Sequence, residues 1–212
     1  GPFTVLRHEA LADRWADIFE EIGAVARREA FSAPLSKPGE EAWLDILVYG
    51  MPQYHRCMFD VTVRHPADAR YMPGAAETEG HAAAKAGEEK DDKYPAVADL
   101  RVEPLARESW GRLGKPAEAA LLTCAAAATR MDHRRGRLPV QRLRRWRAAL
   151  DADLHRGVAA KLSSARYGAP GRKTQRTLPV DLAALEERDN WPQPRLPGRS
   201  LRRSGRSEDR RE

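Results

Sequence analysis

The chain has little cysteine: two residues in 212, Cys57 and Cys124. Neither sits in a Cys-x-x-Cys or Cys/His spacing, which argues against a zinc site and against a disulfide scaffold. Both thiols read as small apolar packing residues, and the compartment they imply is a reducing one. No run of about 18 apolar residues is present, so no membrane span is expected. No secretory signal is visible, and no internal repeat. The expected location is intracellular, and nuclear if the source is eukaryotic.

Charge is not scarce, but it is unevenly placed. The net charge is +6. Residues 1–129 hold 15 Lys/Arg against 21 Asp/Glu, a balance of −6. Residues 130–212 hold 22 against 10, a balance of +12. A polyanion, if one is held, belongs to the second part.

Residues 8–29 read as an amphipathic helix, with Leu11, Trp15, Ile18, Phe19 and Ile22 at three- and four-residue spacing. Gly23 is a candidate end for its first part. Residues 31–41 read as a connecting loop, with a short strand before it as an alternative, 65–74 as another loop, and 75–94 as a helix by propensity. A third strand is expected from Val97 to Leu105. An alanine-rich helix is expected at 116–130, and an arginine-rich one at 138–162. Beyond Tyr167 the composition turns to Gly, Pro, Arg and Ser. Apart from a short helix at 181–189, that segment cannot bury enough apolar surface to fold alone. The order of elements implies an α/β fold with a central mixed β-sheet flanked by helices. The domain is placed at 1–130, with a basic helical extension at 131–167 and a mostly disordered basic tail at 168–212.

Two apolar runs, Trp43–Tyr49 and Cys57–Val63, read as β-strands joined by a Gly/Pro turn. A hairpin centred on that turn pairs Tyr49 with Arg56 and Val48 with Cys57. Carried inward, the same register sets Asp45 opposite Asp60. Opposed carboxylates on adjacent strands lie about 5 Å apart and repel. A divalent cation between them would remove the conflict, and phosphodiester hydrolysis is the chemistry that such a site serves. The alternative is a pair of edge aspartates facing solvent or arginines. A slip of one residue would place the two on opposite faces.

Leu44-Asp45, fourteen intervening residues, and Asp60-Val61-Thr62-Val63 resemble the PD-x(12–14)-D signature of the restriction-like endonuclease of site-specific non-LTR retroelements. That family lies within the PD-(D/E)XK nuclease superfamily. Lys90-Asp91-Asp92-Lys93-Tyr94 resembles its K-x-x-K-Y. Glu103-Pro104-Leu105 and Glu108-Ser109-Trp110-Gly111-Arg112-Leu113-Gly114 resemble its closing segment. Arg7-His8-Glu9 resembles the R-H-[DEN] start of related reverse-transcriptase C-terminal regions. The resemblance covers about residues 5–130. It implies a restriction-endonuclease-like core and a DNA-nicking activity that leaves a 3′-hydroxyl able to prime reverse transcription. No polymerase signature is present in this chain. Leu44 replaces the motif's proline, and Thr62 stands where the superfamily's lysine is expected.

The expected roles follow. Asp45 and Asp60 hold Mg²⁺ or Mn²⁺, and the Val61 carbonyl adds a third oxygen. Lys93, or after it Lys90 or Lys85, supplies the missing positive charge. Glu9 and Glu20 are candidate additional acids from the first helix. His8 is a candidate phosphate contact or a cap-region histidine. Glu108 caps or bonds backbone amides, and Trp43 and Trp110 are expected in the core. Arg142, Arg144, Arg145 and Arg147 are candidates for phosphate contacts with DNA, RNA being the second candidate partner. The reading from a different class is a nuclease fold without activity that binds nucleic acid or a protein partner.

Overall fold

The computed structural model describes residues 2–51, 56–97, 100–132 and 139–167. The tail at 168–212, the helix expected at 181–189 and the hairpin tip at 52–55 lie outside the described residues.

Helix α1 (Pro2–Glu21) ends at Gly23, whose φ is +84°. Gly23 N–H bonds Glu20 O, and Ala24 N–H bonds Phe19 O, the paired closing bonds of a Schellman turn. The chain reverses there into strand β1 (Val25–Phe31). This corrects the expected helix to residue 29. Ala, Arg and Glu in this stretch favour a helix locally, but six pairs with the next strand decide the outcome. That strand is β2 (Trp43–Tyr49), followed by β3 (Arg56–Arg64). The hairpin register is the expected one from Tyr49↔Arg56 to Ile46↔Phe59.

Short helix α2 (Met72–Glu77) and helix α3 (His81–Lys93) cross to strand β4 (Val102–Glu108), which pairs parallel with β3. Gly80, at φ +79°, separates the two helices, so the stretch expected as one helix is two. The third expected strand begins later than read: Val97 and Leu100 form only an isolated bridge. Helices α4 (Lys115–Asp132) and α5 (Pro139–Tyr167) complete the fold. The sheet order is β1-β2-β3-β4, antiparallel except for β3/β4. The protein is therefore an α/β fold with a four-stranded mixed sheet flanked by helices.

One face of the sheet is covered by α1 and α4, and α5 packs on those two helices. Leu11, Trp15, Ile18 and Phe19 of α1 are fully buried with Ile46, Phe59 and Leu105 of the sheet. Phe19 stacks on Phe59 with ring centroids 4.6 Å apart. Trp146, Leu150 and Leu154 of α5 belong to this same core. The core thus runs past the boundary expected near residue 130, and α5 is not an appended extension. α3 covers part of the other face. Its Ala83 and Ala86 meet Ala106, and Gly87 lies over Pro104. Small residues let this helix approach the sheet closely. Cys57 and Cys124 are buried, and burial pushes both thiols up to about 12.

Candidate functional site

The sheet forks at Asp45. The β2/β3 ladder ends at Ile46↔Phe59, one pair short of Asp45 and Asp60. On the other side, the β1/β2 ladder skips the position that pairs Glu29 with Asp45. Glu29 is the one non-glycine residue with positive φ (+51°) among the described residues. Side-chain alternation in β2 also breaks here. Ile46 and Val48 join the core under α1, whereas Leu44 sides with Leu47 and Met58 in a second cluster.

Side chains take over the bonds that the ladder gives up. Arg28 Nε donates to the Asp45 carbonyl at 3.1 Å. The Val61 N–H donates to Asp45 Oδ2 at 2.6 Å. His8 Nε2 lies 3.0 Å from the Val61 carbonyl and 3.1 Å from Asp45 Oδ2. Asp45 is thus held half-buried, with its carboxylate at the fork.

Asp60 is buried on β3. Its Oδ2 makes no directional hydrogen bond, and its contact is the Lys90 ammonium at 2.6 Å. Burial holds the Asp60 carboxyl above its usual range, and the neighbouring Asp45 charge pushes the same way. Lys90 and His8 oppose that shift without reversing it. Burial alone would lower the His8 imidazole. The hydrogen bond and charge of Asp45, joined by the charge of Glu9, outweigh it and hold His8 above its ordinary value. Two acids and two bases therefore meet at one break in the sheet.

Lys93 and Lys90 were both candidates, with Lys93 favoured, and the fold separates them. Lys90 reaches Asp60, whereas Lys93 lies 3.5 Å from Glu40 and 4.9 Å from the Tyr94 ring centre. Lys85 pairs with Glu88. Helix phase explains the choice. At about 100° per residue, Lys90 lies about 20° from Ala83 on the sheet-facing stripe and Lys93 about 80°. The small-residue stripe Ala82-Ala83-Ala86-Gly87 carried that signal in the sequence.

The candidate acids of α1 also diverge. Glu9 binds Arg28 Nη2 at 2.7 Å and lies 3.7 Å from His8 Nδ1, at the margin of the site. Glu20 is exposed, about 18 Å further along the helix axis from His8, and is not part of it. His8 is the residue whose place the sequence did not settle. Its spacing to Leu11, Trp15 and Ile18 put it on the apolar stripe of α1, hence facing the sheet. Glu108 does what was expected: its Oε1 accepts the N–H groups of Ala82 and Ala83 at the start of α3. The two tryptophans do not. Trp110 is 67 % exposed and stands edge-on to His65, and Trp43 is 37 % exposed against Phe31.

Three of the four arginines proposed to grip phosphate are engaged within the protein. Arg145 pairs with Glu21, Arg147 with Glu118, and Arg142 reaches the Glu21 carbonyl at 3.5 Å. Arg144 is exposed. These arginines tie α5 to α1 and α4.

The donor set fits a hard divalent cation. Two carboxylates and the Val61 carbonyl are all oxygen, and Mg²⁺ commonly binds through one or two carboxylates while keeping several waters. No group of three or more His, Cys, Asp or Glu side chains with metal-holding geometry occurs among the described residues. No described helix is long and apolar enough to cross a membrane. No protein-family model and no curated protein sequence matches the chain.

Proposed function

We propose that the chain is a metal-dependent DNA endonuclease domain with a restriction-endonuclease-like core, akin to those of site-specific non-LTR retroelements. One observation carries this reading: Asp45 and a buried Asp60 share a fork in the sheet, with the Lys90 ammonium 2.6 Å from Asp60. A carboxylate pair with an adjacent lysine can serve phosphodiester hydrolysis at a divalent cation, the acids as oxygen ligands and the lysine as a fixed positive charge.

Asp45, Asp60 and the Val61 carbonyl would hold Mg²⁺ or Mn²⁺. When bound, the cation supplies a Lewis acid for the phosphate and a more acidic water. Lys90 keeps a positive charge beside Asp60, where negative charge grows on an attacked phosphate. Thr62, at the place of the superfamily's lysine, is occupied otherwise: it accepts a hydrogen bond from Arg64 Nη1 at 2.9 Å. Lys90 comes from the neighbouring helix and restores the charge that Thr62 lacks.

The test is nicking of supercoiled plasmid in Mg²⁺ or Mn²⁺ by the parent chain, Asp60→Ala, Lys90→Met and Lys93→Met. The parent and Lys93→Met should nick. Asp60→Ala and Lys90→Met should lose about 100-fold or more, the scale of removing one charge-stabilising group. Equal activity in parent and Asp60→Ala would end the reading. A second reading is an inactive nuclease fold that binds nucleic acid or a protein. It is favoured by the contacts of Lys90 with Asp60 and of His8 with Asp45, which already engage both acids. DNA binding without any nicking would select it.

A further inference from the structure

Val61 is the first residue of its set on β3 to lack a strand partner on the β2 side. In an antiparallel ladder such a residue exchanges both its N–H and its C=O with the neighbouring strand. Here one acid and one imidazole replace that partner. The Asp45 carboxylate takes the N–H, and His8 Nε2 approaches the C=O. The same nitrogen approaches the same carboxylate oxygen that the N–H uses. Both partners of Nε2 are acceptors, so Nε2 carries the hydrogen.

Counting lone pairs then distinguishes the two oxygens of Asp45. Oδ2 accepts the Val61 N–H and lies 3.1 Å from His8 Nε2, whose single hydrogen it shares with the Val61 carbonyl. No described side chain or N–H is bonded to Oδ1. The Val61 carbonyl gives one of its two lone pairs to His8 and keeps the other. His8 therefore touches two of the three groups assigned to the cation, each on an atom or lone pair that leaves another free.

We infer that His8 is the positioning residue of the cation site, clamping Asp45 and the Val61 carbonyl across the fork so that Asp45 Oδ1 and the free carbonyl lone pair face the ion. The inference rests on the proposed cation site. It assigns a role in which His8 touches neither metal nor phosphate. It also explains why an imidazole occupies the apolar stripe of α1, where an aliphatic side chain would bury more easily. Outer partners that orient ligands typically change metal affinity by about 10- to 100-fold when removed.

Binding of Mn²⁺ alone, followed by the free-ion electron paramagnetic resonance signal, tests this without any cleavage. The chains compared are the parent, Asp60→Ala, His8→Ala and His8→Gln, each checked for folding by thermal melting. The parent should bind and Asp60→Ala should not. His8→Ala should bind about 10- to 100-fold more weakly, and His8→Gln, which keeps an N–H donor, should recover most of the loss. Parent-like or tighter Mn²⁺ binding by folded His8→Ala overturns the clamp while leaving the cation site intact. A purely structural His8 would lower the melting temperature of both variants without moving the affinity of the folded chain. Parent and Asp60→Ala binding alike, or neither binding, removes the cation site and the clamp with it.

Discussion

Strand β3 has two unlike sides. Toward β4 it makes seven consecutive pairs, from Met58↔Val102 to Arg64↔Glu108. Toward β2 it makes four and then stops, leaving Val61 to the side chains of Asp45 and His8. The β4 side is backbone ladder over an apolar core. The β2 side ends in an opening held by polar side chains. The contrast shows how a fold makes room for a charged site. It surrenders ladder bonds at one place, satisfies the orphaned groups with side chains, and relies on an unbroken ladder next door for rigidity. Buried backbone groups are rarely left unpaired, so the fork persists only because Asp45, His8 and Arg28 complete it.

The sharpest test of this contrast sets one residue from each side against the other. Leu105→Ala, in the core beside the ladder, should cost about 2–5 kcal/mol in denaturant melts. Asp45→Asn keeps an acceptor for the Val61 N–H and should cost only about 1 kcal/mol, yet abolish Mn²⁺ binding. If Asp45→Asn destabilises as much as Leu105→Ala, the fork is structural and the comparison breaks.

A smaller effect concerns the layer that supports α1 and hence His8. Gly157 of α5 faces Arg7, and an added Cβ would sit 2.5 Å from Arg7 Cβ and 3.1 Å from its Cα. Ala in place of a helical Gly normally gains about 0.5–1 kcal/mol. Here the clash should reverse the sign, and Gly157→Ala should lose about 1–3 kcal/mol. A stabilised variant would mean that α5 shifts freely on α1.

The smallest effect lies at the intact end of β3. The hydrogen bond from Arg64 holds the Glu89 carboxyl below its ordinary range. A depressed acid contributes stability above its unfolded pKa and loses it as pH falls through the folded one. Because Glu89 is nearly half exposed, the contribution is well under 1 kcal/mol. Glu89→Gln should slightly flatten the acid limb of the melting temperature against pH. No change in that limb would show that the bridge contributes nothing.

Some of this was legible in the chain. The β2/β3 register followed from turn chemistry and a period of two, both local properties. The apolar stripe of α1 followed from its 3.6-residue period and is buried as read. Glu108 read correctly as a ligand of backbone amides, but those amides open α3, earlier in the chain, and not the helix that follows it. Other features were hidden because distant partners decide them. β1 looks helical until β2 pairs with it. The ion pairs of Arg145 with Glu21 and Arg147 with Glu118 join residues far apart in the chain, so they cannot be read from the sequence of α5. Trp110 reads as core by residue type, but the turn after β4 leaves it outside.

The sequence by itself determined the hairpin register from Tyr49↔Arg56 to Ile46↔Phe59, because a short turn and strand alternation leave little choice there, but not the break one pair further on at Asp45 and Asp60. Only the tertiary structure decided which bases join them. Lys90 and Lys93 differ by three positions and about 60° of helix phase, and the approach of α3 through Ala83, Ala86 and Gly87 selects Lys90. His8 lies 37 residues before Asp45, and only the packing of α1 across the sheet brings its imidazole to the fork. Local periodicity sets which way a side chain points, and the packing of separate elements sets what it meets.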